Sequence, residues 1–186
     1  LGPGTKLPSL GHTSYEKLKT AYYTAAKGLA DSGSDALLVE TSQDLLQVKA
    51  AVNGCRDAIA ESGRDILLIA QVTVETTGTM LLGSEIGAAL NALEPLDIDL
   101  IGLNCATGPA EMSEHLRYLS KNATCAISVM PNAGLPILGA KGAEYPLGPE
   151  ELATALETFV NDYGISLIGG CCGTTPAHLA AVVSRL

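Results

Sequence analysis

Short apolar, β-branched runs alternate strictly with longer segments of helical period, and this alternation constrains the chain more than any other feature. The runs are Ala36 to Glu40, Ile66 to Val74, Leu100 to Asn104, Thr124 to Met130 and Ser166 to Ile168. Most are continuous hydrophobic stretches, the pattern of parallel strands buried on both faces. Between them, Leu18, Tyr22, Ala25 and Leu29 form one helical stripe. Leu45, Val48, Val52, Cys55 and Ile59 form the next, with Ser42 or Thr41 as its expected N-cap. Glu85 to Leu93 makes a shorter helix, stopped by Pro95. Pro109 to Lys121, Pro149 to Tyr163 and Pro176 to Arg185 each begin with proline, which suits a first helical position where no N–H is needed. Such an order requires crossover connections and a parallel α/β sheet. A doubly wound sheet and a (β/α) barrel both satisfy it. The absence of a G-x-G-x-x-G after a strand, and of a P-loop, counts against the first. Residues 131–147, rich in Gly and Pro, are the longest expected loop.

Composition removes several function classes. A net charge of -9 over 186 residues argues against a nucleic-acid surface, which needs clustered Lys and Arg. No apolar run reaches the roughly 18–20 residues that span a bilayer, so no membrane partner is expected. The first residues do not resemble a signal peptide, and the chain opens at Leu1 without Met, as a fragment would. Five cysteines, an odd number beside a large apolar fraction, do not read as a disulfide scaffold. A reducing cytoplasm is the expected location.

Three of those cysteines share one structural address. Cys105 follows the run 100–104 and precedes the helix start at Pro109; Cys171 and Cys172 follow Gly169-Gly170 and precede Pro176. Both are carboxyl ends of strands, where parallel α/β proteins carry their chemistry. Neighbouring side chains in a regular strand point to opposite faces, so Cys171 and Cys172 meet one ion only if the backbone bends there. Gly169, Gly170 and Gly173 permit the bend. Three thiolates would suit zinc. A packing role and a vicinal Cys171–Cys172 disulfide stand as alternatives, because no C-x-x-C is present. Cys55, in a helix stripe, and Cys125, in a strand, read as small buried hydrophobes.

The motifs Gly102-Leu103-Asn104-Cys105-Ala106-Thr107-Gly108-Pro109 and Gly169-Gly170-Cys171-Cys172-Gly173-Thr174-Thr175-Pro176 resemble the two cysteine motifs of the zinc-dependent homocysteine S-methyltransferases. Glu40-Thr41 and Pro131-Asn132-Ala133-Gly134-Leu135-Pro136 extend the likeness in family order along nearly the whole chain. Glu40-Thr41 with Asp44, Leu46, Lys49 and Ala50, and the P-N-A-G-L-P run, are most similar to the cobalamin-dependent methionine synthase branch. The resemblance implies a (β/α)₈ TIM-type barrel, of which residues 1–186 supply about five βα units as one partial domain. The family's first strand with its D-G-x-x-G-T loop, and two further strands, are not in the sequence. Two exposed sheet edges are therefore expected.

The resemblance further implies that Cys105, Cys171 and Cys172 bind zinc, that Asn132 completes the metal sphere without substrate, and that homocysteine binds through its sulfur. Glu40 is expected to accept the substrate ammonium, and Asn104 to contact substrate or donate to a sulfur. Methylcobalamin would be the methyl donor, held with folate by other domains of the same polypeptide, since the D-x-H-x-x-G signature is absent. Asp44 reads as a helix-start charge and His178 as a packing histidine. Rival readings are a cobalamin-independent enzyme using betaine or S-methylmethionine, a structural-metal or metal-storage protein, and a dithiol redox protein.

Overall fold

The computed structural model describes residues 1–139 and 142–186. Its strands are β1 (Ala36–Ser42), β2 (Leu67–Val72), β3 (Leu100–Asn104), β4 (Ala126–Met130), β5 (Ile137–Gly139), β6 (Gly142–Glu144) and β7 (Leu167–Ile168). The helices are α1 (Tyr15–Asp31), α2 (Leu45–Ser62), α3 (Ile86–Leu93), α4 (Pro109–Asn122), α5 (Pro149–Tyr163) and α6 (Pro176–Arg185). Five strands form one sheet in the order β1-β2-β3-β4-β7, and every pairing in it is parallel. All five expected strands are present, β3 with the expected ends and the others with ends shifted by at most two residues. The expected loop 131–147 contains the antiparallel pair β5–β6, too short and too exposed to give a hydrophobic signal.

One face of the sheet packs on the helices through Leu37, Val39, Leu68, Val72, Ile101 and Val129. The other face is mixed. Ile69 and Leu100 are buried on it, but toward the strand carboxyl ends it turns polar. Gln71, Gly102 and Ser128 lie side by side in register, and Gln71 Nε2 donates to Ser128 Oγ at 3.1 Å across the glycine. A Cβ at position 102 would overlap Ser128, so the missing side chain makes room for this bond. Leu1 extends the free edge of β1 by one parallel step, its amine donating to Leu38 O and its carbonyl accepting from Glu40 N. Beyond that contact, β1 and β7 are unpaired edges among the described residues.

Helix ends follow local chemistry. Glu111 and Glu151 reach back to the amides of Gly108 and Gly148, and Gly63 and Gly164 close α2 and α5 in the left-handed conformation. The expected N-cap of α2 at Thr41 or Ser42 is corrected to Asp44, whose carboxylate accepts from Leu46 N at 2.9 Å. The reason is that β1 keeps pairing as far as Ser42, opposite Val72. Asp44 also accepts from Ser9 N and Ser9 Oγ, tying the N-terminal segment to the helix. The α1 stripe also differs from expectation. Tyr22, Ala26 and Ala30 are buried, whereas Ala25 and Leu29 are exposed. Helices α1 and α2 approach so closely at Gly54 that only small side chains fit between them. No described helix is long and apolar enough to cross a membrane.

A Cβ at Gly54 would lie 2.5 Å from Lys19 O and 2.8 Å from Tyr23 N, both backbone atoms. Gly54→Ala is therefore expected to destabilise by about 2 kcal/mol through overpacking, despite alanine's better helix propensity. Gly28→Ala in α1, where nothing lies within 4 Å, should stabilise by about 0.5–1 kcal/mol. Urea midpoints of the two variants check the opposite signs.

Candidate metal and substrate site

Because all five strands run the same way, Glu40, Asn104, Met130 and the segment after Ile168 reach one rim. The polypeptide then breaks regular geometry at each cysteine. Cys105 and Ala106 both adopt left-handed backbone, φ 61° and 59°. Such conformations cost roughly 1–2 kcal/mol per non-glycine residue. They turn the chain at the strand end, with Cys105 N bonded to Met130 O and Thr107 N to Cys105 O. On β7 the strand stops at Ile168, and Gly173 at φ 80° completes the bend that the sequence required.

The result is a cluster. Ligand atoms of Cys105, Cys171 and Cys172 lie within 4.8 Å of one another, with Cys105 Sγ and Cys172 Sγ 3.8 Å apart. A tetrahedral ion with sulfur ligands at about 2.3 Å sets those sulfurs about 3.8 Å apart, so the donor set fits zinc. Cys171 and Cys172 both join the cluster without being bonded to each other, and all five cysteines are free thiols. Cys55 is fully buried, and burial pushes its thiol up to about 12; burial also raises the half-buried Cys125. Neither belongs to the cluster.

Asn104 holds the rim together. Its Oδ1 accepts from Thr41 N at 2.7 Å, and its Nδ2 faces Thr41 Oγ1 at 2.7 Å, Glu40 Oε2 at 3.4 Å and Cys171 Sγ at 3.9 Å. Thr41, a β-branched residue at φ 54°, is kept in that unfavourable conformation by these two bonds. Thr73 Oγ1 donates to Asn104 O from the neighbouring strand. Glu40 is half-buried beside them. Asn132, only 2% exposed, accepts from Cys172 N with its Oδ1 at 3.0 Å, while Cys171 N donates to Pro131 O and Ala133 N to Cys172 O. Glu40, Asn104, Cys105, Asn132, Cys171 and Cys172, the residues expected at the site, therefore lie together at one rim.

Two contacts beside the cluster were not visible in the sequence. Tyr145, just after β6, packs its side chain against Gly173, between two of the cluster's loops. His178 is buried, as a packing histidine should be, and bridges two segments: Nδ1 accepts from Thr175 N and Nε2 contacts Leu147 O at 3.0 Å. No spacing rule signals either contact, since both join segments about 30 residues apart.

The thiols are electrostatically unequal. Hydrogen bonding from Cys171, helped by the Ala106 amide and Cys172, lowers Cys105 to about 6 against the cost of burial. The same contact, reversed in sign, holds the proton on Cys171 well above the usual thiol range. The contact thus favours the charge on Cys105 and the proton on Cys171.

Comparison with known proteins gives the class first. The fold matches the homocysteine methyltransferase MmuM from Escherichia coli in its apo form with a TM-score of 0.76 at 22% identity, covering 100% of this chain and 61% of that one. The metallated form of MmuM matches with a TM-score of 0.73 at 23% identity, over 94% of this chain and 53% of that one. The sequence profile of homocysteine S-methyltransferases matches residues 1–186, and the chain belongs to that family. Methionine synthase from Mycobacterium tuberculosis (strain ATCC 25618 / H37Rv) is 68% identical over 186 residues, which are 100% of this chain and 16% of that protein. The chain thus spans about a sixth of the length of this relative.

The unequal thiols predict pH-dependent reactivity in the reduced, metal-free chain. A depressed thiol pKa means the thiolate is present above that value and lost below it. Alkylation of Cys105 by iodoacetamide should therefore rise through pH about 6 and outrun that of Cys171 at neutral pH. In Cys171→Ala the midpoint should move up toward the ordinary thiol range, as peptide mass mapping would record.

Proposed function

We propose that this chain is the homocysteine-binding zinc region of a cobalamin-dependent methionine synthase, forming part of a (β/α)₈ barrel. The observation that carries the reading is the separation of the thiols, three sulfurs within 4.8 Å at the carboxyl rim of a parallel sheet. Support also comes from family membership over the whole chain and from the mycobacterial relative.

Cys105, Cys171 and Cys172 would hold the zinc, leaving a fourth position for substrate, as in catalytic rather than structural sites. A zinc ion held there would supply the Lewis acidity that lowers the pKa of the homocysteine thiol, so that its proton passes to solvent and the thiolate, the form that acts as nucleophile, prevails. Three thiolates leave a net charge of about -1 on such a unit, which suits activation of a soft sulfur better than hydrolysis of water. Asn132 is the candidate closing ligand without substrate, exchanging its bond to the Cys172 amide for the metal. Glu40 would accept the substrate ammonium, at a distance from the sulfurs set by Asn104. Asn104 would also donate to Cys171 and keep Thr41 turned away from the cleft.

The overall reaction moves a methyl group from methylcobalamin to the homocysteine sulfur and releases methionine. The donor and its folate source belong to other domains of a longer polypeptide, consistent with this chain covering a sixth of its relative. Methyl transfer by residues 1–186 alone should be negligible.

The test is the zinc content of the reduced, zinc-supplemented chain, with X-ray absorption before and after homocysteine. One zinc with three sulfurs, gaining a fourth on addition of homocysteine, is expected. Replacing Cys105, Cys171 or Cys172 by Ala should sharply reduce zinc retention. Cys55→Ala and Cys125→Ala should retain the metal and lose only packing, on the order of 1 kcal/mol. Stoichiometric zinc after combined Cys171→Ala and Cys172→Ala would sink the reading.

A further inference from the structure

The buried His178 imidazole is engaged at both edges, and this fixes where its proton sits. Nδ1 lies 3.2 Å from Thr175 N and 2.8 Å from Thr175 Oγ1. A backbone N–H can only donate, so Nδ1 accepts and carries no proton. Nε2 lies 3.0 Å from Leu147 O, which can only accept, so the proton is on Nε2. Both edges demand the same neutral tautomer.

The Leu147 peptide that His178 grips is itself tied to the cysteines. Leu147 N donates to Ala133 O at 2.9 Å, and Ala133 N donates to Cys172 O at 2.9 Å. Cys171 N donates to Pro131 O at 2.8 Å, and Cys172 N to Asn132 Oδ1 at 3.0 Å. From Cys172 the backbone runs through Gly173 and Thr175 to His178, so these bonds close a circuit. Residues 131–133 hold the two cysteine peptides at one end of it, and His178 holds the exit of the same loop at the other. Gly173, at φ 80°, is the joint between the two grips.

We propose that His178 is a positioning residue for the adjacent cysteines: its Nε2–H bond to Leu147 O closes the circuit that keeps Cys171 and Cys172 facing Cys105. The role rests on the reading of the three cysteines as zinc ligands. A tetrahedral ion asks for sulfurs about 3.8 Å apart, the spacing at which Cys105 Sγ and Cys172 Sγ already stand. A loop held at that spacing loses little freedom when the metal binds. One free to swing about Gly173 loses more and binds the metal more weakly.

Two substitutions separate the grip on Leu147 from the contact with Thr175. His178→Asn puts an acceptor where Nδ1 stands and removes the donor to Leu147 O. His178→Gln puts an amide donor where Nε2 stands. Zinc affinity of the reduced chain is read by competition with a chromophoric chelator, below the thermal midpoints of all three proteins. It should fall on the order of tenfold in His178→Asn, the scale on which outer partners of metal ligands act. His178→Gln should bind zinc like the unsubstituted chain. Without metal, hydrogen exchange at the Cys171 and Cys172 amides should quicken in His178→Asn and return to the original rate in His178→Gln. Unchanged affinity and exchange in His178→Asn would overturn the proposal. Equal losses in both variants would also overturn it, since the bond to Leu147 O would then not be the cause. If the unsubstituted chain binds no zinc while its cysteine amides still respond to His178→Asn, the zinc reading fails and the positioning role stands.

Discussion

Parallel hydrogen bonding between the five strands is the constraint from which the rest of this structure follows. A parallel ladder can be joined only by crossovers, and each crossover here is or contains a helix packed on the outer face. Strands built this way all end at one rim. Residues 40, 104, 132 and 171, dispersed over 130 positions of sequence, are neighbours there because the register places Gln71, Gly102 and Ser128 abreast and Asn104 opposite Met130. The cysteine cluster is thus a consequence of strand direction, with local bends supplying the final few ångströms.

Those bends carry strain, and the polar network beneath the rim holds it. Cys105, Ala106 and Thr41 are left-handed non-glycine residues; Cys105 N is bonded to Met130 O and Thr41 N to Asn104 Oδ1, each on another strand. Asn104 has a central place in this. One amide side chain satisfies the strained Thr41, touches Glu40 and approaches Cys171, so the Glu40 carboxylate and the Cys171 sulfur are set by the same group. The unequal protonation of Cys105 and Cys171 has the same origin: sulfurs held this close cannot all ionise without a cation between them.

Much of this was legible before any coordinates. Strand and helix order, the shared address of Cys105, Cys171 and Cys172, and the exclusion of Cys55 and Cys125 follow from hydrophobic period and from position relative to strand ends. The α1 stripe was not, because alanines at 26 and 30 outrank leucine at 29 only where a second helix comes as close as Gly54 allows. Nor was the cap of α2, since the turn that extends β1 to Ser42 depends on Asn104, sixty residues away.

Sequence alone determined the parallel α/β class and the residues able to bind a soft ion, because both depend on patterns along the chain: apolar period, strand-end position and thiol chemistry. Tertiary structure decided the distances. That Cys105 and Cys172 stand 3.8 Å apart, that Asn132 serves the Cys172 amide, and that Tyr145 packs on Gly173 depend on contacts between segments 28 to 67 residues apart. Local propensity has no term for such contacts; they exist only once the sheet has aligned its strand ends and the loops have packed across them.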